Sequence, residues 1–313
     1  DDVESRGLGD VYKRQVQDIP ALAAVCRAQG VPLLVDNAHG AYLRFLPQNC
    51  HPIAQGAAMC CDSAHKTLPV VTGGAYLHLA HDAPVQDEAA VRGALALFGS
   101  TSPSYLILQS LDACNAVLAG DYPRRLAQCC AALEGLRRSL NKAAAARQCP
   151  LPLAVAGAQQ EPMKLTLDAA ALGCTGTALA EALRRAQMEC EYADPRYVVL
   201  MFTPENPPQD YTRLQTALEQ LLAAVPAGLP RPENRAGEFA ALQQQAVQRC
   251  TIRQAVLGAQ VRVPVHKALG RVCAMPTVSC PPAIPVAVSG EEITPAAIAL
   301  MQRYGIEELS VLR

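Results

Sequence analysis

The chain contains five lysines, Lys13, Lys66, Lys142, Lys164 and Lys267, and one of them stands where covalent chemistry would be useful. Lys66 follows the apolar segment IAQGAAMCC and a polar cluster, Asp62-Ser63-Ala64-His65, and it precedes the glycine pair Gly73-Gly74. A lysine held in a desolvated pocket loses part of its preference for the ammonium form, so its amine becomes available to condense with an aldehyde. The sequence reads as placing Lys66 in such a pocket. The other four have ordinary settings. Lys13 lies in a charged, aperiodic leader, Lys142 and Lys267 sit on helical, solvated stretches, and Lys164 opens a strand.

Pyridoxal 5'-phosphate (PLP) is the aldehyde cofactor that most often uses such a lysine. It also needs an acidic group facing its pyridine nitrogen, because a protonated ring nitrogen strengthens the cofactor as an electron sink. Asp36, immediately after VPLLV, can supply that group. Taken singly, an Asp after a strand is more often a turn or cap and a Lys more often a surface charge. What separates the two readings is the set of strings around them: D-N-A-H-G-A at 36–41, S-A-H-K-T-L-P at 63–69 and S-T-S-P-S-Y at 100–105.

Two other chemistries are weaker. His78 and His81 are three apart and Cys60 and Cys61 are near in sequence, but strand alternation puts the two histidines on opposite faces, so no metal site is expected. Cys61 could act as a nucleophile, but no supporting base can be placed from sequence.

The elements that must position these residues follow from periodicity. DIPALAAVCRAQG reads as a helix with Asp18 as N-cap and Gly30 as stop. VPLLVD reads as a strand buried on both faces, since its apolar residues are continuous. The alternation recurs through GAAMCCDSAHK and GGAYLHLA and predicts a mainly parallel α/β sheet, with Asp36 at the strand edge where such sheets collect reactive groups. Residues 106 to about 147 read as helical, ending at AAAAR before Pro150. In the next stretch MKLTL and YVVLMF are strand-like. TALAEALRRAQ and DYTRLQTALEQLL carry helical periodicity, with Thr175 or Thr177 and Asp210 near their starts. GLPRPEN marks a linker. A helix from Glu238 to about Cys250, an irregular CPPAIPVAVSGEE run and a helix started by Thr294 with Pro295 complete the chain. The division expected is therefore a leader at 1–15, foreign to the fold, and a partial large domain at 16–118. Connecting helices at 119–150, a small α/β domain at 151–228 and a C-terminal α+β domain at 229–313 follow.

Hydrophobic residues make up 50% of the chain and charged residues 18%, with a formal net charge of -1. No apolar run is long enough to cross a bilayer and no basic run invites nucleic acid, so the expected setting is the cytoplasm, with small molecules and other subunits as partners. The 13 cysteines are odd in number and contain no C-x-x-C, which fits neither a disulfide framework nor a zinc knuckle; most are expected to be small buried hydrophobes.

The three strings resemble the cofactor-site segments of the Orn/Lys/Arg decarboxylase family of fold-type I PLP enzymes, whose usual forms are close to D-E-A-H-G-A-H, S-T-H-K-T-L-P and S-T-S-P-S-Y. E-P-M-K-L-T-L, A-D-P-R-Y-V-V-L and C-P-P-A-I-P-V extend the likeness from about Asp18 to the C-terminus. The resemblance implies that Lys66 carries PLP, that Asp36 bonds the pyridine nitrogen and that His39 lies beside the ring. Ser63 and His65 are implied at the cofactor phosphate or imine region, and Ser100, Thr101 and Ser102 at a phosphate across a dimer interface. It implies decarboxylation of a basic amino acid, arginine, lysine or ornithine, by a homodimer or higher homo-oligomer. Three positions depart from the usual forms: Asn37 for glutamate, Ala64 for threonine and Tyr42 for the second histidine. The family's phosphate loop and ring-stacking aromatic are expected to lie outside this sequence. The rival expectations are another fold-type I PLP activity, such as an aminotransferase or lyase, against which the S-T-S-P-S-Y and C-P-P-A-I-P-V strings count, and a non-catalytic fragment.

Overall fold

The structure, a computed structural model, describes residues 16–149, 151–155, 160–226, 242, 244–275, 277–279 and 284–313. The leader and the GLPRPEN linker lie outside the described residues, as do residues 238–241 and 243 of the helix expected at 238–250. Contacts divide the chain into two units, Gln17–Gly135 with Phe202–Pro208, and Leu136–Met201 with Gln209–Arg313.

The first unit opens with helix α1 (Ile19–Ala28), whose N-terminus is closed as expected by Asp18 Oδ1 accepting from Ala21 N–H at 3.1 Å. Gly30, at φ +66°, ends it in a left-handed conformation that glycine adopts without strain. Strands β1 (Leu34–Asp36), β2 (Met59–Asp62) and β3 (Tyr76–Leu79) form a sheet in that order. β1 and β2 are parallel, with Leu34 opposite Met59 and Asp36 opposite Cys61. β2 and β3 are antiparallel, with Cys60 opposite His78 and Asp62 opposite Tyr76. The parallel character is thus carried by the β1–β2 pair.

VPLLVD is not buried on both faces. Val31 is 57% and Leu34 60% exposed, and Asp36 and Cys61 are also exposed. Cys60 and Asp62, which alternation turns to the other side of the sheet, are buried. A continuous apolar run states a capacity for burial, but the cover must come from a packed element, and among the described residues none covers that face.

A single helical turn, α2 (Ala64–Thr67), follows β2, and helices α3 (Glu88–Phe98) and α4 (Tyr105–Ala119) follow β3. The helical stretch expected over 106–147 is two helices, because the chain breaks at Gly120 (ψ -127°) before α5 (Tyr122–Ala146) begins.

In the second unit β4 (Lys164–Asp168), β5 (Tyr192–Ala193) and β6 (Tyr197–Met201) form an antiparallel sheet in the order β4-β6-β5. All five residues of β4 are buried, which requires partners for its polar side chains. Lys164 pairs with Glu161, and Asp168 accepts a bidentate pair from Arg196 at 2.8–3.2 Å. Helix α6 (Gly176–Arg185) begins at Thr175, whose hydroxyl accepts from Ala178 N–H. Helix α7 (Pro208–Ala223) buries Leu214, Leu218 and Leu222, one row at four-residue spacing. Further on lie helix α8 (Ile252–Leu257) and strands β7 (Gln260–Pro264), β8 (Thr277–Ser279) and β9 (Ile284–Ala287). Helix α9 (Pro295–Arg303), capped by Thr294, and strand β10 (Glu308–Leu312) end the chain. β10 pairs antiparallel with β7, and Val265, Ile293, Leu300, Met301 and Val311 pack beside them. The run expected to be irregular contains β9, paired with β8. Residues 246–250 are not helical; Gln248 instead bridges Glu291.

The cysteines are less buried than expected. Of the twelve described, all free thiols, only Cys60, Cys114, Cys129 and Cys273 are buried; Cys61 and Cys174 are exposed and the other six are half-buried, most of them in loops. Among the described residues no helix is long and apolar enough to cross a membrane.

Candidate functional site

The Asp36–Cys61 register sets the C-terminal ends of β1 and β2 side by side, so the segments that follow the two strands emerge at one edge of the sheet. Asp36 is the last residue of β1. Its Oδ1 accepts from Ala38 N–H at 3.1 Å, closing a tight turn that leads into His39, which is half-buried. Cys61 Sγ lies 4.0 Å from the same oxygen, on the same exposed face. Burial, with the Asp36 charge beside it, pushes the Cys61 thiol up. A nucleophilic thiolate there is disfavoured.

Lys66 occupies α2, directly after β2. The structure corrects the expectation of a desolvated lysine, because Lys66 is exposed. The cause is helical periodicity: Ala64, Thr67 and Leu68 are buried at i, i+3 and i+4, which turns Lys66 to the opposite, solvent side. Ser63 holds the N-terminal end of this turn through its carbonyl, which accepts from Lys66 N–H at 3.0 Å, while its hydroxyl makes no cap bond. His65 is fixed more firmly. Its backbone N–H and its Nδ1 both reach the Gly74 carbonyl, at 3.2 and 2.9 Å. A carbonyl only accepts, so Nδ1 carries a proton, and in the neutral form of the ring Nε2 is the nitrogen with the lone pair. The glycine pair makes this possible, since Gly73 sits at φ +101° and a Cβ on Gly74 would run into Val70 Cγ1.

Asp36, His39, Ser63, His65 and Lys66 therefore gather at one sheet edge. Ser100, Thr101 and Ser102 form an exposed turn between α3 and α4, closed by Ser102 N–H on Ser100 Oγ at 3.1 Å. No hydrogen bond or ion pair joins that turn to Lys66 among the described residues.

The edge supplies groups of the types PLP requires. Among the described residues no ion pair occupies the Lys66 amine or the Asp36 carboxylate, and both are exposed at the same strand ends. The residue types present fit the group, while the desolvation that favours a neutral amine is not supplied to Lys66 by the described residues of the single chain.

A second cluster, on the buried side of the sheet, was not legible in the sequence. Asp62 Oδ2 lies 3.0 Å from His51 Nε2 and 2.9 Å from His78 Nε2, and Asp62 Oδ1 accepts from Asn37 Nδ2 at 2.8 Å. Burial alone would raise the Asp62 carboxyl, but the hydrogen bonds from His51, His78 and Asn37 outweigh it and hold the group well below the usual carboxylate range. Cys60 Sγ, 3.5 Å from Asp62 Oδ1, is pushed up by burial first and by the Asp62 charge second. Strand spacing puts Asp62 and His78 on one face, but His51 arrives from a loop that no periodicity marks. The cluster opens on a cavity of about 590 Å³ that Arg44, Asn49, Tyr76 and Asn115 also line.

The family model described as "Orn/Lys/Arg decarboxylase, major domain" matches residues 10–164. The uncharacterized protein YaaO of Bacillus subtilis is 28% identical over 96% of this chain and 62% of its own length. An arginine decarboxylase of the same organism is 27% identical over 92% of this chain and 58% of its own. The chain thus spans about three-fifths of the curated relatives it matches. Among solved structures, the constitutive lysine decarboxylase of E. coli aligns over 97% of this chain and 57% of that one, with a TM-score of 0.68 and 16% identity. Lysine decarboxylase A from Pseudomonas aeruginosa aligns over 95% and 52%, with a TM-score of 0.67 and 17% identity. These likenesses establish the fold.

Proposed function

Because the chain belongs to the Orn/Lys/Arg decarboxylase family, through the major domain matched at residues 10–164, we propose that it serves PLP-dependent decarboxylation of a basic amino acid, with Lys66 as the cofactor lysine. The observation that carries this reading is the shared edge. The parallel register of β1 with β2 puts Asp36 and the Lys66 turn at adjoining strand ends, inside the strings that resemble the family's cofactor segments.

Bound PLP would supply an electron sink for the carbanion left when carbon dioxide departs. The chain's own residues have separate tasks. Lys66 offers an amine on a turn anchored by buried Ala64, Thr67 and Leu68, which fixes where that amine can reach. Asp36 would face the pyridine nitrogen and hold a proton there, with its rotamer set by the bond from Ala38 N–H. His65, with Nδ1 committed to Gly74, presents Nε2 as an acceptor for a proton near the amine, and the Ser63 hydroxyl is placed to donate to an anionic oxygen. His39 is assigned to the side of the ring.

Arginine and lysine are the leading substrates, the first from the names of the curated relatives and the second from those of the solved structures. A homodimer or higher homo-oligomer is part of the proposal. It is supported by the apolar residues that flank the Ser100–Ser102 turn and stand in water in the single chain: Phe98 is 92%, Tyr105 85% and Leu97 78% exposed. In that assembly Ser100, Thr101 and Ser102 would reach a cofactor phosphate on the neighbouring subunit. A cytoplasmic setting fits an enzyme of amino-acid metabolism.

The test is carbon dioxide release from carboxyl-labelled arginine, lysine and ornithine in the presence of PLP. The proposal expects release from at least one of the three and its loss in Lys66→Ala. Equal release by wild type and Lys66→Ala would overturn it.

A further inference from the structure

We propose that His51, Asp62 and His78 form a binding site for one divalent transition-metal ion, of which zinc is the best match, on the buried side of the β1-β2-β3 sheet. The site is separate from the Asp36–Lys66 edge. Along β2, Cys61 turns toward Asp36 while Cys60 and Asp62 turn to the opposite face, where His78 meets them from β3.

The geometry carries the assignment. One ligand-type atom from each of His51, Asp62 and His78 lies within 4.8 Å of the other two, and the two imidazole Nε2 atoms approach the same carboxylate oxygen at 3.0 and 2.9 Å. Four-coordinate zinc, with metal–ligand bonds of about 2.0–2.2 Å, sets neighbouring ligand atoms about 3.4 Å apart, so each imidazole nitrogen has to move from Asp62 Oδ2 by only a few tenths of an ångström, and the two imidazole nitrogens already lie within 4.8 Å of each other. The residue types choose among ions. Two imidazoles and one carboxylate suit zinc, cobalt or iron and do not suit magnesium or calcium, which take oxygen ligands. Asp62 is oriented from behind by Asn37 Nδ2, the second-sphere support that metal-binding carboxylates usually have. His51 and Asp62 are buried, and His78 stands half-exposed on the wall of the 590 Å³ cavity, which leaves water a route to the fourth position.

Loading has a definite proton consequence. In the ion-free form His51 Nδ1 accepts from Ile53 N–H at 3.3 Å, so the ring proton sits on Nε2, facing Asp62. Coordination through Nε2 moves that proton to Nδ1, where it confronts Ile53 N–H, and the long cap contact is given up. The ring stays neutral and nothing is oxidised or reduced.

The experiment titrates the metal-free chain, its thiols alkylated to silence exposed cysteines such as Cys61 and Cys174, with Co²⁺ and Zn²⁺. One equivalent per chain should bind, with the visible bands of four-coordinate Co²⁺, and Zn²⁺ should displace it. Supporting groups around a bound metal are by themselves worth about 10–100-fold in affinity, so removing a direct ligand in His78→Gln or Asp62→Asn should weaken binding at least about tenfold. Binding equal in wild type and His78→Gln, or no saturable binding at all, would overturn the site. Imidazole ¹⁵N spectra of the unalkylated wild-type chain keep the proposal falsifiable if a variant fails to fold. Zn²⁺ should shift both His51 Nε2 and His78 Nε2 and turn His51 Nδ1 into an N–H; unchanged His51 and His78 resonances at saturating Zn²⁺ would refute the site.

Discussion

Asn37 Nδ2 donates to Asp62 Oδ1 across 2.8 Å, tying the turn after β1 to the last residue of β2. This contact explains a departure noted in the sequence, where Asn37 stands in place of the family's usual glutamate. A glutamate at 37 would direct a second carboxylate at Asp62, whose charge His51 and His78 already share. An amide there gives a donor.

Asn37→Glu should therefore destabilise the chain by about 1–3 kcal/mol, the usual cost of leaving a buried acceptor without its donor. Urea unfolding at neutral pH measures this directly. An unchanged midpoint would mean that the Asn37–Asp62 bond contributes nothing to the fold.

Gly74→Ala should disturb the turn that holds His65. The new Cβ would collide with Val70 Cγ1, and relief of that clash moves the carbonyl to which His65 Nδ1 is bonded. Overpacking of this kind typically costs about 1–3 kcal/mol. The His65 Nδ1 proton resonance should lose its hydrogen-bonded shift as the thermal midpoint falls, and a variant that keeps both would show that Gly74 is dispensable.

Much of the scaffold could be read from local signals. Asp18 and Thr294 cap the helices they are expected to start, and of the two candidates Thr175 and Thr177 it is Thr175 that caps α6, because a side-chain oxygen within a turn of its target needs no tertiary context. MKLTL and YVVLMF became β4 and β6 because both are short segments with apolar residues at alternate positions or in a run, the local pattern of a strand. Most of the misses are tertiary. VPLLV could not announce that one of its faces meets water, and the exposure of Lys66 follows from which side of a single turn is packed. The His51–Asp62–His78 cluster joins a loop to two strands, and spacing along the chain carries no record of that meeting. The break at Gly120 was a local signal overlooked, a glycine inside an otherwise helical pattern.

Cys190 provides a pH-dependent test in the second unit. Burial, with Glu189 beside it, pushes its thiol from 9.0 to about 11. A raised thiol pKa favours the folded state fully below the unfolded value, and that contribution is lost as pH rises from 9.0 through about 11. Near pH 8, Cys190 should hold about a hundredfold less thiolate than a thiol titrating at its ordinary value, and should alkylate correspondingly slowly by site-resolved mass spectrometry. Fast labelling of Cys190 near pH 8 would contradict the assignment.

Arg196→Lys should weaken the second unit by about 1–2 kcal/mol, since lysine cannot reproduce the forked contact with nearly buried Asp168. Denaturant unfolding followed by tyrosine fluorescence reads the change, and Asp168→Asn in the same background should add little, because the two residues act as a pair.

The central claim concerns Lys66. Incubating the chain with substoichiometric PLP, reducing with borohydride and mapping the peptides asks which amine captured the cofactor. The account predicts a phosphopyridoxyl group on the peptide containing Lys66, abolished in Lys66→Ala and diminished in Asp36→Asn. Label spread over Lys142 and Lys267, exposed amines with no carboxylate partner at a shared strand edge, and absent from Lys66 would contradict it.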